Sequence, residues 1–76
     1  LEKYIVYSKP DCTHCVEIER ILTECGCEYE EINMLELTRD KQAELRADAR
    51  LNRQTSMPLV YLNGEFVKNT IIEEMA

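Results

Sequence analysis

Lys9-Pro10-Asp11-Cys12-Thr13-His14-Cys15, running on into Val16-Glu17-Ile18-Glu19-Arg20-Ile21-Leu22, decides how this chain is read. Two cysteines stand three apart where an apolar strand-like run ends and an amphipathic helix begins. With 12–15 as the first helical turn, their Cα atoms are offset along the axis by about 4.5 Å and share a face. That separation lies within the roughly 4.4–6.8 Å that a disulfide needs. The first sulfur would sit at the helix N-terminus, where unpaired backbone N–H groups and the helix dipole favour negative charge. Cys12 is therefore expected to ionise readily, and the thiolate is the reactive form. A Cys-x-x-Cys pair between strand and helix reads as a redox motif of the thioredoxin type.

The chain around this stretch makes one small domain, expected to span residues 1–76. At this size a chain buries only about 60% of its unfolded surface, enough for one sheet and two or three helices. A net charge of −6 argues against a nucleic-acid surface, which needs a basic stripe. No apolar run approaches the length of a membrane span. Leu1-Glu2-Lys3-Tyr4 resembles neither a signal nor a transit peptide, so cytoplasmic residence is the expectation. Four cysteines in a short chain also suit a secreted disulfide scaffold, but only two Gly and two Pro and long periodic segments speak against it.

Tyr4-Ile5-Val6-Tyr7 is a short apolar run suited to a strand covered on both faces. Helical spacing then links Cys15, Ile18, Ile21, Leu22 and Cys25, with Glu17, Glu19, Arg20 and Glu24 opposite. Gly26 stands where a left-handed residue ends a helix. Residues 28–34 read as a second strand, closing a right-handed βαβ unit. Thr38 is the expected N-cap of a second helix running to about residue 52, with a thin apolar stripe of Leu45 and Ala49 and with Leu51 nearby. Lys41, Arg46, Arg50 and Arg53 read as a solvated face, and only Arg53 lies near the next motif in sequence. Asn63-Gly64 between Leu59-Val60-Tyr61-Leu62 and Glu65-Phe66-Val67-Lys68 is a hairpin signal. Thr70-Ile71-Ile72-Glu73 has capping-box spacing for a last short helix. The order is β-α-β-α-β-β-α.

That order, with Cys-x-x-Cys opening the first helix and Thr55-Ser56-Met57-Pro58 before the third strand, resembles the glutaredoxin branch of the thioredoxin fold. The resemblance covers nearly the whole chain. It implies an α/β, thioredoxin-like fold with a four-stranded mixed sheet flanked by helices. It also implies a cis peptide bond before Pro58, with the Met57 backbone offered to an extended substrate as a short strand pairing. Cys12 and Cys15 would be catalytic. Cys12 attacks a substrate disulfide, and Cys15 then attacks Cys12 and releases the reduced substrate. His14 and Lys9 would favour the Cys12 thiolate, and Asp11 would oppose it. Lys9 matches the family position that meets a glutathione carboxylate. No tightly bound cofactor is implied; glutathione is the co-substrate, and disulfide-containing proteins are the partners of a monomer.

One stretch departs from the family. Glutaredoxins carry Gly-Gly followed shortly by Asp before the last helix, and Lys68-Asn69-Thr70-Ile71 stands here instead. Backbone N–H groups of Thr70 and Ile71 would still face a carboxylate at the helix start, but the Asp partner is missing. The departure favours a second reading, a redoxin reduced by thioredoxin reductase rather than glutathione. Ribonucleotide reductase is a common acceptor for either. A reading of another class is a zinc or iron–sulfur protein. Zinc would need Cys12, Cys15, Cys25 and Cys27 to converge, yet Cys12 and Cys25 lie at opposite ends of a helix about 19 Å long. Cys25 is expected in the core, as a small apolar side chain on the helix stripe.

Overall fold

The computed structural model describes residues 3–76; Leu1 and Glu2, where the N-terminal stretch begins, lie outside the described residues. The elements are β1 (Lys3–Ser8), α1 (Thr13–Glu24), β2 (Glu28–Asn33), a single 3-10 turn (Met34–Glu36), α2 (Arg39–Leu51), β3 (Leu59–Leu62), β4 (Glu65–Val67) and α3 (Asn69–Glu73). The sheet order is β2-β1-β3-β4. β1 runs parallel to β2, as the α1 crossover demands, and antiparallel to β3, while β3 and β4 form the hairpin. Asn63 and Gly64 take φ of 53° and 82°, the pair of left-handed residues a tight two-residue turn requires.

Successive side chains of a strand point to opposite faces, and β3 uses both. Val60 enters a cluster with Val6, Ile18, Ile21, Leu22 and Ile72, under α1 and α3. Leu59 enters a second cluster with Met34, Leu45 and Ala49, under α2. Two-sided cover explains why β1 and β3 read as continuous apolar runs. Tyr61 adds a polar tie across the second face: its hydroxyl donates to Asp48 Oδ2 on α2 at 2.7 Å. Burial, that bond and the Asp48 charge push the Tyr61 hydroxyl well above its ordinary pKa.

Three expectations are corrected. β2 stops at Asn33, because the Asn33 side chain accepts from Leu35 N–H and starts the 3-10 turn, which sends Met34 into the core. Cys25 is exposed rather than buried. The helix ends at Glu24, and a complete Schellman motif follows: Gly26 N–H donates to Thr23 O and Cys27 N–H to Leu22 O, with Gly26 at φ 74°. The chain thus turns under the helix, and Cys27 packs against the core that Cys25 was expected to fill. Leu51, beside the α2 stripe in sequence, is 82% exposed. The last helix is capped by Lys68, not Thr70, and Thr70 lies inside it. At the start of α2, Thr38 Oγ1 accepts from Lys41 N–H as a cap of that type should.

Candidate active site

The first turn of α1 is built by its sequence. Pro10 ends the β1 extension, and Asp11 turns the chain with φ 56°, a left-handed conformation that Asp tolerates better than most residues. Cys12 follows as the N-cap, in extended conformation, and its sulfur accepts the Cys15 N–H at 3.1 Å. The helix begins at Thr13, one residue later than a turn over 12–15 supposes. Cys12 and Cys15 are joined as a disulfide with Cα atoms 5.3 Å apart. Cys15 is 3% exposed, whereas Cys12 is half-buried at the helix mouth. A negative charge on the Cys12 sulfur, once the disulfide opens, falls on a backbone donor and on the positive end of the helix dipole.

Charged neighbours surround this turn. His14 Nε2 lies 3.2 Å from Glu73 Oε2, so α3 supplies a carboxylate to the side chain inside the cysteine motif. Lys9, Asp11 and Glu31 line a cleft of about 470 Å³ that contains Cys12 and Cys15. Glu31 approaches Glu19 on α1. Burial first, then the neighbouring Glu31 carboxyl group, push Glu19 up to about 7, and its Oε2 is buried without a hydrogen-bond partner.

Lys9 also lines a second cleft of about 430 Å³, with Arg46, Arg50, Met34, Met57 and Leu59 among its walls. It is an apolar groove with three cations and no acidic side chain along it, on a chain of net charge −6. Arg46 and Arg50, one turn apart on α2, are exposed, as a solvated face requires, and both line this groove. Arg53 does not reach it. The Met57–Pro58 peptide bond is cis, and Pro58 is fully buried.

The structure does not bring every expected residue to the site. Ile71 N–H donates to Lys68 O within α3, so it is engaged and does not face a ligand. Its side chain is exposed, as is Thr70. Among the described residues no cluster of His, Cys, Asp or Glu is arranged to hold a metal ion. Sequence reasoning passed over Gln54, Glu31 and Glu73. Glu31 carries no local signal and Glu73 only that of a helix start, because the contacts that matter join them to α1 from other elements. Gln54 sits four residues before Pro58, buried to 7% exposure, and only the folded chain shows what it bonds.

Comparison with known proteins decides the family. The sequence profile for glutaredoxin matches residues 4–67. The chain belongs to the glutaredoxin family. Among solved structures it is similar to a wheat glutaredoxin, with 24% identity, a TM-score of 0.68, and coverage of 96% of this chain and 71% of that one. It is also similar to the NrdH-redoxin of Escherichia coli, a glutaredoxin-like protein with a thioredoxin-like activity profile, at 19% identity and TM-score 0.59, covering 97% and 95%. A third similar structure is the thioredoxin-like protein BC3987, with 26% identity, TM-score 0.59, and coverage of 96% and 99%. The first two likenesses establish the thioredoxin-like glutaredoxin fold. No curated protein gives a significant match.

Proposed function

We propose that this glutaredoxin is a dithiol–disulfide oxidoreductase that reduces protein disulfides and glutathione mixed disulfides through Cys12 and Cys15. The observation that carries this reading is the Cys12–Cys15 disulfide at the α1 N-terminus, with the outer sulfur on a backbone donor and the inner one buried. In the reduced protein the Cys12 thiolate attacks one sulfur of a substrate disulfide; a new S–S bond forms and the other substrate sulfur leaves as a thiolate, which takes a proton from water. Cys15 loses its proton and attacks Cys12 Sγ, breaking the mixed disulfide and expelling the second substrate sulfur. Two electrons pass to the substrate, and the protein is left with the disulfide seen here. Two molecules of glutathione restore the dithiol and become glutathione disulfide.

Glutathione suits the groove beside Lys9. A short peptide with two carboxylates finds Lys9, Arg46 and Arg50 there, and the Met57 backbone offers an edge for pairing. One observation favours the second reading, a redoxin served by thioredoxin reductase with an acceptor such as ribonucleotide reductase. At residues 68–71 the expected glycines and Asp are absent, and Ile71 N–H is consumed inside α3. Both readings place the protein in a reducing compartment such as the cytoplasm.

The deciding experiment couples turnover of a glutathione mixed disulfide to NADPH, once through glutathione and glutathione reductase and once through thioredoxin reductase. Turnover in the first system that survives Cys15→Ser supports glutathione use with Cys12 alone. Turnover only in the second assigns the redoxin reading. Turnover in neither overturns the oxidoreductase proposal.

A further inference from the structure

The loop that carries Met57 is held from behind by one buried side chain. Gln54 Nε2 donates to Ser56 O at 3.1 Å and to Pro58 O at 3.0 Å, the two carbonyls flanking Met57. Gln54 Oε1 accepts from Asn69 N–H at 2.8 Å, the first residue of α3. Its own backbone N–H donates to Ala49 O near the end of α2, at 2.8 Å. A Gln carboxamide offers two N–H groups and one carbonyl, and here each kind is used. With 7% of the residue exposed, water has little access to replace those bonds.

The backbone groups of Met57 itself are left over. Among the described residues neither its N–H nor its C=O has a hydrogen bond within the chain. Met57 also stands in the wall of the groove that holds Lys9, Arg46 and Arg50. The carbonyls on either side are pulled inward while the residue between them keeps a free polar edge at the groove.

We propose that Gln54 is a positioning residue for the substrate, fixing the 56–58 segment so that the Met57 backbone pairs with the peptide backbone beside the substrate disulfide. The proposal rests on the oxidoreductase reading and extends it to a residue that never touches the reacting sulfurs. A preset edge costs less ordering on binding than a loop that must be fixed each time. Loss of Gln54 therefore weakens substrate binding while leaving the chemistry of Cys12 alone.

Gln54→Met removes all three side-chain bonds at similar volume. Gln54→Glu keeps an acceptor for Asn69 N–H but removes both donors to the loop. Steady-state kinetics with a glutathionylated peptide, and alkylation of reduced Cys12 by iodoacetamide, are measured for both variants and the wild type. The expected result is a KM raised about 10-fold in each, about the worth of one lost hydrogen bond, with kcat and the alkylation rate within about 2-fold. A KM unchanged in both, or a fall in kcat matched by a fall in alkylation rate, overturns it. A second test leaves Gln54 in place and does not depend on either Gln54 variant folding. When glutathione is trapped on Cys12 in the Cys15→Ser protein, the Met57 amide resonance is expected to shift, and an unmoved Met57 amide overturns the proposal. Wild-type protein that turns over no disulfide at all shows instead that the oxidoreductase reading has failed, and the proposal with it.

Discussion

Each end of α1 carries two cysteines, and the two ends do different things with them. At the N-terminal end Cys12 and Cys15 are bonded to each other, with Cys12 on a backbone N–H and Cys15 buried. At the C-terminal end Cys25 and Cys27 are free thiols; Cys25 is exposed, with its sulfur donating to Met75 O at 3.4 Å. Helix polarity accounts for much of the contrast. The N-terminus offers donors and a positive dipole end to a thiolate, whereas the C-terminus offers carbonyls, which suit a protonated S–H. Spacing accounts for the rest. A Cys-x-x-Cys pair opening a helix aligns its sulfurs, while Gly26 between the other two reverses the chain and sends one outward and one toward the core. The surroundings of the two cysteine pairs thus differ already at the level of the backbone.

The largest effect that would break this contrast is on turnover. Cys12→Ser is expected to lower the rate of disulfide reduction by about a thousand-fold or more, as removal of a nucleophile does, while Cys25→Ser stays within about 2-fold. Comparable losses in the coupled assay would show that the two ends are not distinct. The groove beside the reactive end comes next. Arg46→Gln with Arg50→Gln is expected to raise KM for a glutathione mixed disulfide about 10-fold at low salt and less at high salt, since exposed charges are screened. A KM insensitive to both substitutions and salt would confine recognition to the backbone of the loop.

At the other end the effect is on stability rather than rate. Cys27→Ser places a hydroxyl against the core and is expected to cost about 1 kcal/mol, a melting temperature lower by roughly 4–8 °C. Cys25→Ser, at an exposed site, is expected to change stability by less than about 0.5 kcal/mol. Thermal unfolding of the two variants side by side checks the order.

The smallest effect concerns the middle of the helix. Glu19 is raised to about 7 from 4.5, so the folded state holds its proton more tightly than the unfolded chain. The stability it contributes is therefore complete below pH 4.5 and is lost as pH rises through about 7. Glu19 is only partly buried, and solvent screens the cost, leaving about 0.5 kcal/mol. Glu19→Gln should accordingly flatten the decline in stability between pH 5 and 8 in denaturant titrations, with little change at acid pH.

Most of the fold was legible because local signals agreed with one another. Pro10, Gly26, Thr38 and Asn63-Gly64 each punctuate the chain where the structure does, and the apolar runs of β1 and β3 matched a sheet covered on both faces. Local reading failed where a tertiary contact overrode it. Thr70-x-x-Glu73 looked like a capping box, but Gln54 already satisfies the Asn69 N–H, and Glu73 turns to His14 instead. Cys25 followed the helical period one step past the residue where the helix ends. The cysteine pair was legible for the opposite reason: both residues, the helix end that polarises them and the turn before them lie within seven consecutive positions. The groove was not, because its cations come from β1–α1 and α2 and meet only after folding.

The most direct test of the account is to locate the substrate on the chain. Cys15→Ser protein, reduced and then exposed to a glutathione mixed disulfide, traps the first intermediate, and peptide mass spectrometry reads which cysteine carries the adduct. The account predicts glutathione on Cys12, with Cys25 and Cys27 unmodified over the same time. An adduct forming first on Cys25 or Cys27 would contradict it.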